Sequence, residues 1–308
     1  MNHNSVLVGI GAHSDAVHWL EGSARWGESH PSRVTKSVGG CAFNVAAALS
    51  RAGQRVVHAG LRGHDTSGNE IKRALERHGI VDAGLVLPEQ STGEYTAFVE
   101  PGGDLAMASA AMSIYGEAGR LASHEPYRDA AQQVGAMVLD ANADANTIEA
   151  LAARRGRGAK LVLLATSASK ANNLAPLLAH AAIVFANRME WNRLGSAAGD
   201  IALAFVTNGA EGASVIERGR ILASAPAPPT RIINVIGAGD AFAAGVLDAV
   251  LDAAAPERAL LRGLEWAKRC VASSSALGWL SGGEHDRAAP NRADPSTTPS
   301  RKPTKDSA

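Results

Sequence analysis

Short apolar runs alternate with amphipathic stretches along most of the chain. Runs of strand length, bounded by glycine or polar residues, cover residues 5–10, 55–61, 137–141, 160–165, 182–187 and 203–208. Helical spacing of apolar residues is found over 44–52, 67–78, 146–155, 172–180 and 240–253. The first two of these helices end at Gly53 and Gly79, the residue type that favours a C-terminal cap. Strands that alternate with helices predict an α/β fold with a mainly parallel sheet covered on both faces and right-handed crossovers.

Three segments depart from this alternation. TAFVEPGGDLAMAS places turn residues 101–104 between two β-forming runs, which predicts a hairpin. ASVIERGRILASA predicts a second hairpin, and the polar stretch up to about residue 38 is predicted to be irregular. Residues 281–308 are rich in Pro, Ser, Thr, Arg and Asp and predict a disordered tail after one domain of residues 1–280.

Composition narrows the classes of function. The chain has 308 residues, of which 46% are hydrophobic, and its 30 basic and 30 acidic residues give no net charge, so a nucleic-acid partner is not favoured. No uncharged apolar run is long enough to span a membrane, and the first residues lack the pattern of a signal peptide. Cys41 and Cys270 form no disulfide framework or metal motif, and the ten histidines show no ligand spacing. A cytoplasmic protein is therefore expected.

The strongest chemical signal is NVIGAGDAFAAG, residues 234–245. Gly237, Ala238 and Gly239 allow backbone amides to approach a ligand, and the helix that follows adds its unpaired N–H groups and dipole. Asp240 stands where a carboxylate could accept a proton from an attacking hydroxyl, so the stretch indicates phosphoryl transfer. An ordinary glycine turn capped by Asp240 is an equal alternative on this stretch alone. The chain lacks a Gly-Lys pair, which excludes a Walker A loop, and GIGAHS lacks the third glycine of a dinucleotide motif.

Two motifs together resemble the signatures of the ribokinase-like (PfkB) family of sugar and nucleoside kinases. NVIGAGDAFAAG is similar to the family's C-terminal signature, and GGCAFNVAAALSRAG, residues 39–53, to its N-terminal one. The resemblance covers about residues 6–280. It implies a three-layer α/β sandwich whose small β lid is formed by about residues 16–38 and 93–110.

The resemblance also implies roles for individual residues. Asp240 would be the catalytic base, and Gly237, Ala238 and Gly239 would form the anion hole. The sugar would be bound by Asp15, Gly39, Gly40 and Asn44, with Asp15 as a plain loop carboxylate the alternative. ATP would be bound by Asn187, Glu190, Thr207, Gly209 and Gly212, with the adenine near residues 267–274. Glu190 would hold Mg²⁺ through water unless it is an exposed helix-start residue, and a contribution of K⁺ near Asn234 is left open.

Within the family, the segment STGEYTAFVEPGGDLAMASAAMSIY resembles the lid of pseudouridine kinases. This implies ATP-dependent phosphorylation of the 5′-hydroxyl of pseudouridine, with Tyr95 either facing the base or packing within the lid. Other ribokinase-like or adenosine kinase-like activities compete. The sequence departs from the pattern of the subgroup and the family at four places. Ala111 replaces an aspartate that is usual in the subgroup, and the strand at 160–165 lacks the aspartate often found at its end. Phe185-Ala186 replaces a pair formed by a polar residue and proline, and the segment 194–204 is shorter than the family norm.

Two further hypotheses come from other classes. A family member that binds a nucleoside or sugar without turnover would act as a sensor, and the departures above motivate this alternative. An NAD-linked enzyme using Gly9 and Gly11 is the weakest hypothesis. A homodimer formed through the lid is the assembly that the resemblance suggests.

Overall fold

The structure is a computed structural model that describes residues 2–281. Its strands are β1 (Asn2–Gly9), β2 (His13–Leu20), β3 (Ser32–Gly39), β4 (Arg55–His58), β5 (Leu61–Gly63), β6 (Val81–Asp82), β7 (Leu85–Leu87), β8 (Glu94–Val99), β9 (Leu105–Ala111), β10 (Val134–Asp140), β11 (Lys160–Leu164), β12 (Ile183–Asn187), β13 (Leu203–Thr207), β14 (Ala213–Glu217) and β15 (Arg220–Ala225). Its α-helices are α1 (Cys41–Arg51), α2 (Thr66–Arg77), α3 (Glu125–Gln133), α4 (Ala145–Ala152), α5 (Arg188–Leu194), α6 (Ala238–Leu251) and α7 (Pro256–Val271). Shorter 3₁₀ helices cover Ser113–Ser123, Ala171–His180, Gly195–Asp200, Gly209–Glu211 and Gly278–Ser281.

A nine-stranded sheet forms the centre of the molecule. Its order is β15-β14-β13-β12-β11-β10-β1-β4-β6. All neighbours from β13 to β6 pair in parallel, whereas β14 and β15 form an antiparallel extension at one edge. The prediction of a mainly parallel α/β sheet is confirmed.

Each face of this sheet has its own apolar core. Side chains of a strand alternate between the two faces, so Leu7 of β1 packs in one core while Val6 and Val8 pack in the other. The second core contains most of α1 and α6, whose inward positions are alanine, valine, leucine and phenylalanine. Because α6 is buried along residues 241–249, its first turn is fixed at the sheet edge rather than free in a loop.

A separate four-stranded sheet, in the order β3-β2-β8-β9, is built from residues 13–39 and 94–111. The predicted hairpin at 101–104 is confirmed, since β8 and β9 pair in antiparallel register on either side of it. The prediction of irregular structure up to residue 38 is wrong. β2 and β3 pair along eight residues each. β3 has no apolar run to mark it, because most of its side chains are exposed and polar.

Other predicted elements are displaced or changed in type. The hairpin of β14 and β15 is confirmed. The segment predicted as a helix at 172–180 is a 3₁₀ helix with Pro176 inside it, because proline cannot supply an α-helical N–H. The shortened segment after residue 194 forms the 3₁₀ turn Gly195–Asp200. The predicted tail lies outside the described residues from 282 onward.

Candidate active site

The carboxyl ends of neighbouring parallel strands meet the first turn of α6. There they enclose a cavity of about 170 Å³. Asn187 ends β12 and Thr207 ends β13, and the two are directly paired. Parallel strands all present their carboxyl ends at one sheet edge, where ligands of open α/β sheets bind. The cavity is lined by Cys41, Leu164, Ala165, Thr166, Phe185, Ala186, Asn187, Glu190, Phe205, Thr207, Gly239, Asp240, Phe242 and Ala243.

The start of α6 leaves room for an anion. Gly237 adopts a left-handed φ of 83°, and a Cβ there would lie 2.6 Å from the Cβ of Ala276, so only glycine fits. Gly239 lines the cavity, and no heavy atom lies within 4 Å of the place where its Cβ would be. The amides of Gly239 and Asp240 belong to the first helical turn, and neither donates to a backbone carbonyl within residues 2–281. The Ala238 amide differs, since it points to Val235 O at 3.3 Å.

Asp240 is half-buried and held by two donors from α1. Asn44 Nδ2 donates to Asp240 Oδ2 at 2.7 Å, and the Cys41 thiol acts as a donor that lowers the pKa of the same carboxylate. Burial raises the pKa of Asp240, the two donors lower it, and the nearby carboxylates of Asp140 and Asp15 raise it further. The net shift is upward, which is the direction that makes a carboxylate a better proton acceptor.

Asn187 and Glu190 form a capping box at the start of α5. Asn187 Oδ1 accepts from the Glu190 amide at 2.9 Å, and Glu190 Oε2 accepts from the Asn187 amide at 2.7 Å. Within residues 2–281, Asn187 Nδ2 and Glu190 Oε1 make no hydrogen bond, and both residues line the cavity. The alternative of an exposed glutamate is wrong, because Glu190 is 5% exposed. Burial, followed by the charge of Asp240, raises the pKa of Glu190.

The residues predicted to bind the sugar lie on the small sheet and at the start of α1. Asp15 lies in β2, not in a loop, and it pairs in register with Tyr95 of β8, so both side chains leave the same face. Asp15 Oδ1 is buried without an aligned hydrogen bond, although His13 Nε2 is 3.2 Å away. A Cβ on Gly39 would overlap the Asp15 carboxylate, and Gly40 has a φ of 104°. Asn44 is buried, and its Oδ1 has no partner among the described residues.

The predicted nucleotide residues divide between two cavities. Thr207 lines the first cavity. Asn208 and Gly212 line a second cavity of about 250 Å³, which Arg188 also lines. Asn187 and Arg188 are adjacent in the chain and line different cavities, as do Thr207 and Asn208, so the two cavities lie next to each other. Gly209 has a left-handed φ of 54°, and residues 267–274, predicted to lie near adenine, line neither cavity.

Sequence reasoning missed several groups that the fold brings to this edge. Cys41 lies inside the stretch GGCAFNVAAALSRAG, but no role was predicted for it. Asp140 ends β10, where its Oδ2 accepts from the Gly11 amide at 2.9 Å. His13 Nδ1 lies 3.0 Å from the Tyr115 hydroxyl, which donates to Ala12 O. Thr166, two residues beyond β11, lines the cavity. Only Asp140 carried a signal, as a carboxylate at a strand end.

Comparison with known proteins agrees with this geometry. Residues 14–278 match the family described as pfkB family carbohydrate kinase. A carbohydrate kinase from Agrobacterium tumefaciens is 29% identical, with a TM-score of 0.76 over 90% of this chain and 96% of that one. Ribokinase from Arabidopsis thaliana, solved with ribose and ATP, is 19% identical, with a TM-score of 0.76 and coverage of 91% and 96%. A nucleoside kinase from Methanocaldococcus jannaschii is 17% identical, with a TM-score of 0.73 and coverage of 89% and 93%.

No curated protein is a significant match to the sequence. Within residues 2–281, no helix combines the length and apolar character needed to cross a bilayer.

Proposed function

The chain belongs to the pfkB family of carbohydrate kinases and is an ATP-dependent phosphotransferase that acts on an alcohol, and from this premise we propose that it phosphorylates the 5′-hydroxyl of a ribosyl substrate. The observation that carries the proposal is the position of Asp240. Its carboxylate is held by Asn44 at 2.7 Å beside the open amides at the start of α6. A base and an anion site in one cavity are the two parts that phosphoryl transfer to an alcohol requires.

The proposed step is a direct displacement. The substrate hydroxyl transfers its proton to the Asp240 carboxylate while its oxygen bonds to the γ-phosphorus of ATP. The bond from that phosphorus to the bridging oxygen breaks, and ADP leaves with the electron pair. Negative charge on the transferred group is stabilised by the amides of Gly239 and Asp240, with Gly237 and Ala238 shaping the turn that presents them.

The cavities suit a nucleotide with a divalent cation. Asn187 Nδ2 makes no hydrogen bond within residues 2–281 and can donate to a phosphate. Asn187 and Thr207 line the smaller cavity, Gly212 lines the larger one, and Gly209 begins the 3₁₀ turn just before Gly212, so we assign these residues to ATP. Glu190 and Asp240 place two carboxyl groups at the cavity assigned to the phosphates, where a cation would offset the negative charge. Glu190 would hold Mg²⁺ through water, and the ion would supply charge neutralisation for the phosphates. A role for K⁺ stays a prediction, since Asn234 Oδ1 already accepts from the Ile236 amide at 3.0 Å.

Pseudouridine is the substrate we propose within this class. Asn44 keeps a buried oxygen without a hydrogen-bond partner, and Asp15 keeps one that only His13 Nε2 approaches, so both oxygens could accept from sugar hydroxyls. Gly39 and Gly40 keep the backbone close to Asp15, and Tyr95 leaves the same face of the small sheet, where a base attached to the ribose would lie. The small sheet, residues 13–39 and 94–111, would act as the lid of a kinase domain covering residues 1–280.

A substrate panel tests the proposal. ADP formation from Mg·ATP is measured with pseudouridine, ribose, adenosine and fructose, and the position of the phosphate is read by NMR. We expect the highest kcat/KM with pseudouridine and a phosphate on its 5′ oxygen. A higher value for another sugar or nucleoside would replace the substrate but keep the kinase. Binding without ADP formation from any of them would favour the sensor.

A homodimer through the lid is proposed on the exposure of its edge strand. All seven residues of β9 are exposed, and they include Leu105 and Met107. An open edge strand with apolar side chains is a surface that pairs readily with another strand. Light scattering would test the dimer, and cell fractionation would test the predicted cytoplasmic location.

A further inference from the structure

Thr166 combines two features that are unusual for a threonine. Its φ is 49°, in the left-handed region that β-branched residues rarely adopt. The Ser167 amide donates to Ala165 O at 2.5 Å, so the chain makes a three-residue turn centred on Thr166. Glycine or asparagine would adopt this turn with less strain, and the surrounding structure must therefore hold Thr166 in place.

The hydroxyl of Thr166 is buried without a partner. Its Oγ1 has no hydrogen bond to any described residue, although buried hydroxyls are nearly always paired. Both its donor and its acceptor capacity are therefore unused. A strained backbone and an unsatisfied hydroxyl in one residue are each unfavourable for stability, which points to a ligand as the missing partner.

The position of Thr166 identifies the class of ligand. Thr166 lines the 170 Å³ cavity together with Asn187, Glu190, Gly239 and Asp240. None of the predicted sugar residues lines this cavity, since Asp15, Gly39, Gly40, Asn44 and Tyr95 lie beyond its walls. Thr166, with its unpaired hydroxyl, therefore lies at the phosphoryl end of the site.

We propose that Thr166 is a catalytic residue whose hydroxyl donates a hydrogen bond to the phosphoryl oxygens of ATP in this cavity. The inference rests on the proposed use of the cavity for ATP. A donor fixed by a strained turn does not reorient when the phosphoryl group moves, and such preorganised donors stabilise charge that develops during transfer. The turn after β11 and the start of α6 then bind the same group from two elements of the fold.

Three replacements of Thr166 separate this role from a structural one. Thr166→Ser keeps the hydroxyl, Thr166→Val keeps the shape but loses the hydroxyl, and Thr166→Gly loses the hydroxyl while relieving the backbone. Three quantities are measured for each protein. Calorimetry gives the affinity for Mg·AMP-PNP, and thermal unfolding gives the melting temperature. Steady-state kinetics give kcat/KM for ATP, with the alcohol that the substrate panel identifies. Ala253→Gly is the matched control, because Ala253 also has a left-handed φ, of 59°, but lies at the far end of α6.

Activity and stability should rank these proteins differently. We expect Thr166→Val and Thr166→Gly each to lose about 10- to 100-fold in kcat/KM and to bind AMP-PNP more weakly, as for other lost hydrogen bonds to charged groups. Thr166→Ser should stay within about 3-fold of the parent, as a retained hydroxyl predicts. Thr166→Gly should melt above Thr166→Val despite equal activity, and Ala253→Gly should keep full activity.

Three results would overturn the assignment. One is a Thr166→Val protein with parental activity and AMP-PNP affinity. Another is a loss in Thr166→Ser as large as in Thr166→Val, and the third is full activity in Thr166→Gly. If the parent binds AMP-PNP but phosphorylates no alcohol, the proposed function fails, while the AMP-PNP affinities of the variants still decide whether Thr166 contacts the phosphates.

Discussion

Two opposing effects set the pKa of Asp240. Burial favours the neutral carboxylic acid, whereas two donors favour the charged carboxylate. Asn44 and Cys41 both come from the first turns of α1, so one helix sets the protonation of a residue on another. Since the pKa of Asp240 is shifted upward despite both donors, burial and the neighbouring carboxylates outweigh them. Single side chains around Asp240 should therefore change rate and pH dependence more than stability.

Replacing Asp240, the proposed base, tests its role in turnover most directly. Asp240→Asn should keep the fold and Mg·AMP-PNP binding, while kcat falls at least about 100-fold, the usual scale for removing a general base. Steady-state ADP formation and calorimetry measure the two effects. Asp252→Asn, an exposed residue just past the same helix, should stay at parental activity. Parental turnover in Asp240→Asn would remove Asp240 from the mechanism.

Cys41 should tune the pH profile through Asp240. The thiol hydrogen bond lowers the pKa of the carboxylate, so its loss in Cys41→Ala should raise that pKa. A base with a higher pKa is charged only at higher pH, and the acid limb of the kcat profile should move upward. Cys41→Ser retains a donor and should keep the limb close to its parental position. Superimposed profiles for the alanine variant and the parent would show that the thiol does not act on the base.

The motifs in the sequence predicted some of the residues that the fold brings to this cavity, and their roles stay predictions. Asp240, Asn44, Asn187 and Glu190 were predicted, and the first two are in direct contact across the sheet edge. Cys41 and Thr166 were not, because a donating thiol and an unpaired hydroxyl are properties of the folded surroundings. Their residue types give no periodic or spacing signal.

At the level of elements, α6 and α7 pack closely enough to require glycine. A Cβ on Gly245 would lie 3.0 Å from the Cα of Gly263, so the two glycines face each other. The buried Asp248 of α6 pairs with Arg262 of α7 and accepts from Gln54 Nε2 at 2.9 Å, just after α1. These contacts bind three helices together behind the first turn of α6.

Gly263→Ala should disturb this packing. The new methyl would lie 2.6 Å from Val246 Cγ2 and 2.9 Å from Phe242 Cδ2. Overpacking costs about 1–3 kcal/mol, and the better helix propensity of alanine returns up to about 1 kcal/mol. We expect a net loss of unfolding free energy in urea. Gly116→Ala, with no atom within 4 Å of the new methyl, should show no loss. Equal stability of the two variants would mean that the helices separate freely.

Elements with a strong apolar period were predicted, and those stabilised by their partners were not. β10 and β12 stand out as buried runs. β3 is exposed along most of its length and exists because β2 supplies its backbone hydrogen bonds. The helix expected around Pro176 forms with 3₁₀ geometry, because proline has no N–H to donate. The spacing of apolar residues, from which the helix was predicted, contains no information about that missing donor.

At the scale of the whole molecule, a buried histidine links stability to pH. His58 is 1% exposed, and its Nε2 has no partner among the described residues. Burial lowers its pKa from 6.5 to about 4, with Arg62 acting in the same direction and Asp82 against it. At a pH between these two pKa values, His58 is protonated in the unfolded chain and neutral in the folded protein. Stability should therefore fall as the pH drops through this window, by about 3 kcal/mol.

His58→Leu should remove that share of the acid sensitivity. The variant's unfolding free energy, measured in urea from pH 7 to pH 4.5, should decline less steeply than that of the parent, whatever their difference at pH 7. Carboxylates with raised pKa values, such as Glu190 and Asp248, act in the opposite direction and are common to both proteins. Parallel curves would show that His58 is not the group responsible.

The hydrogen bond between Asn44 and Asp240 joins residues 196 positions apart. Every strand of the central sheet and of the small sheet precedes α6 in the chain, so the base is the last of these parts to be synthesised. The same helix fills much of the second core against α1. A polypeptide cut short before α6 would therefore lose its proton acceptor and its folded packing together, and no truncation of this end should separate catalysis from folding.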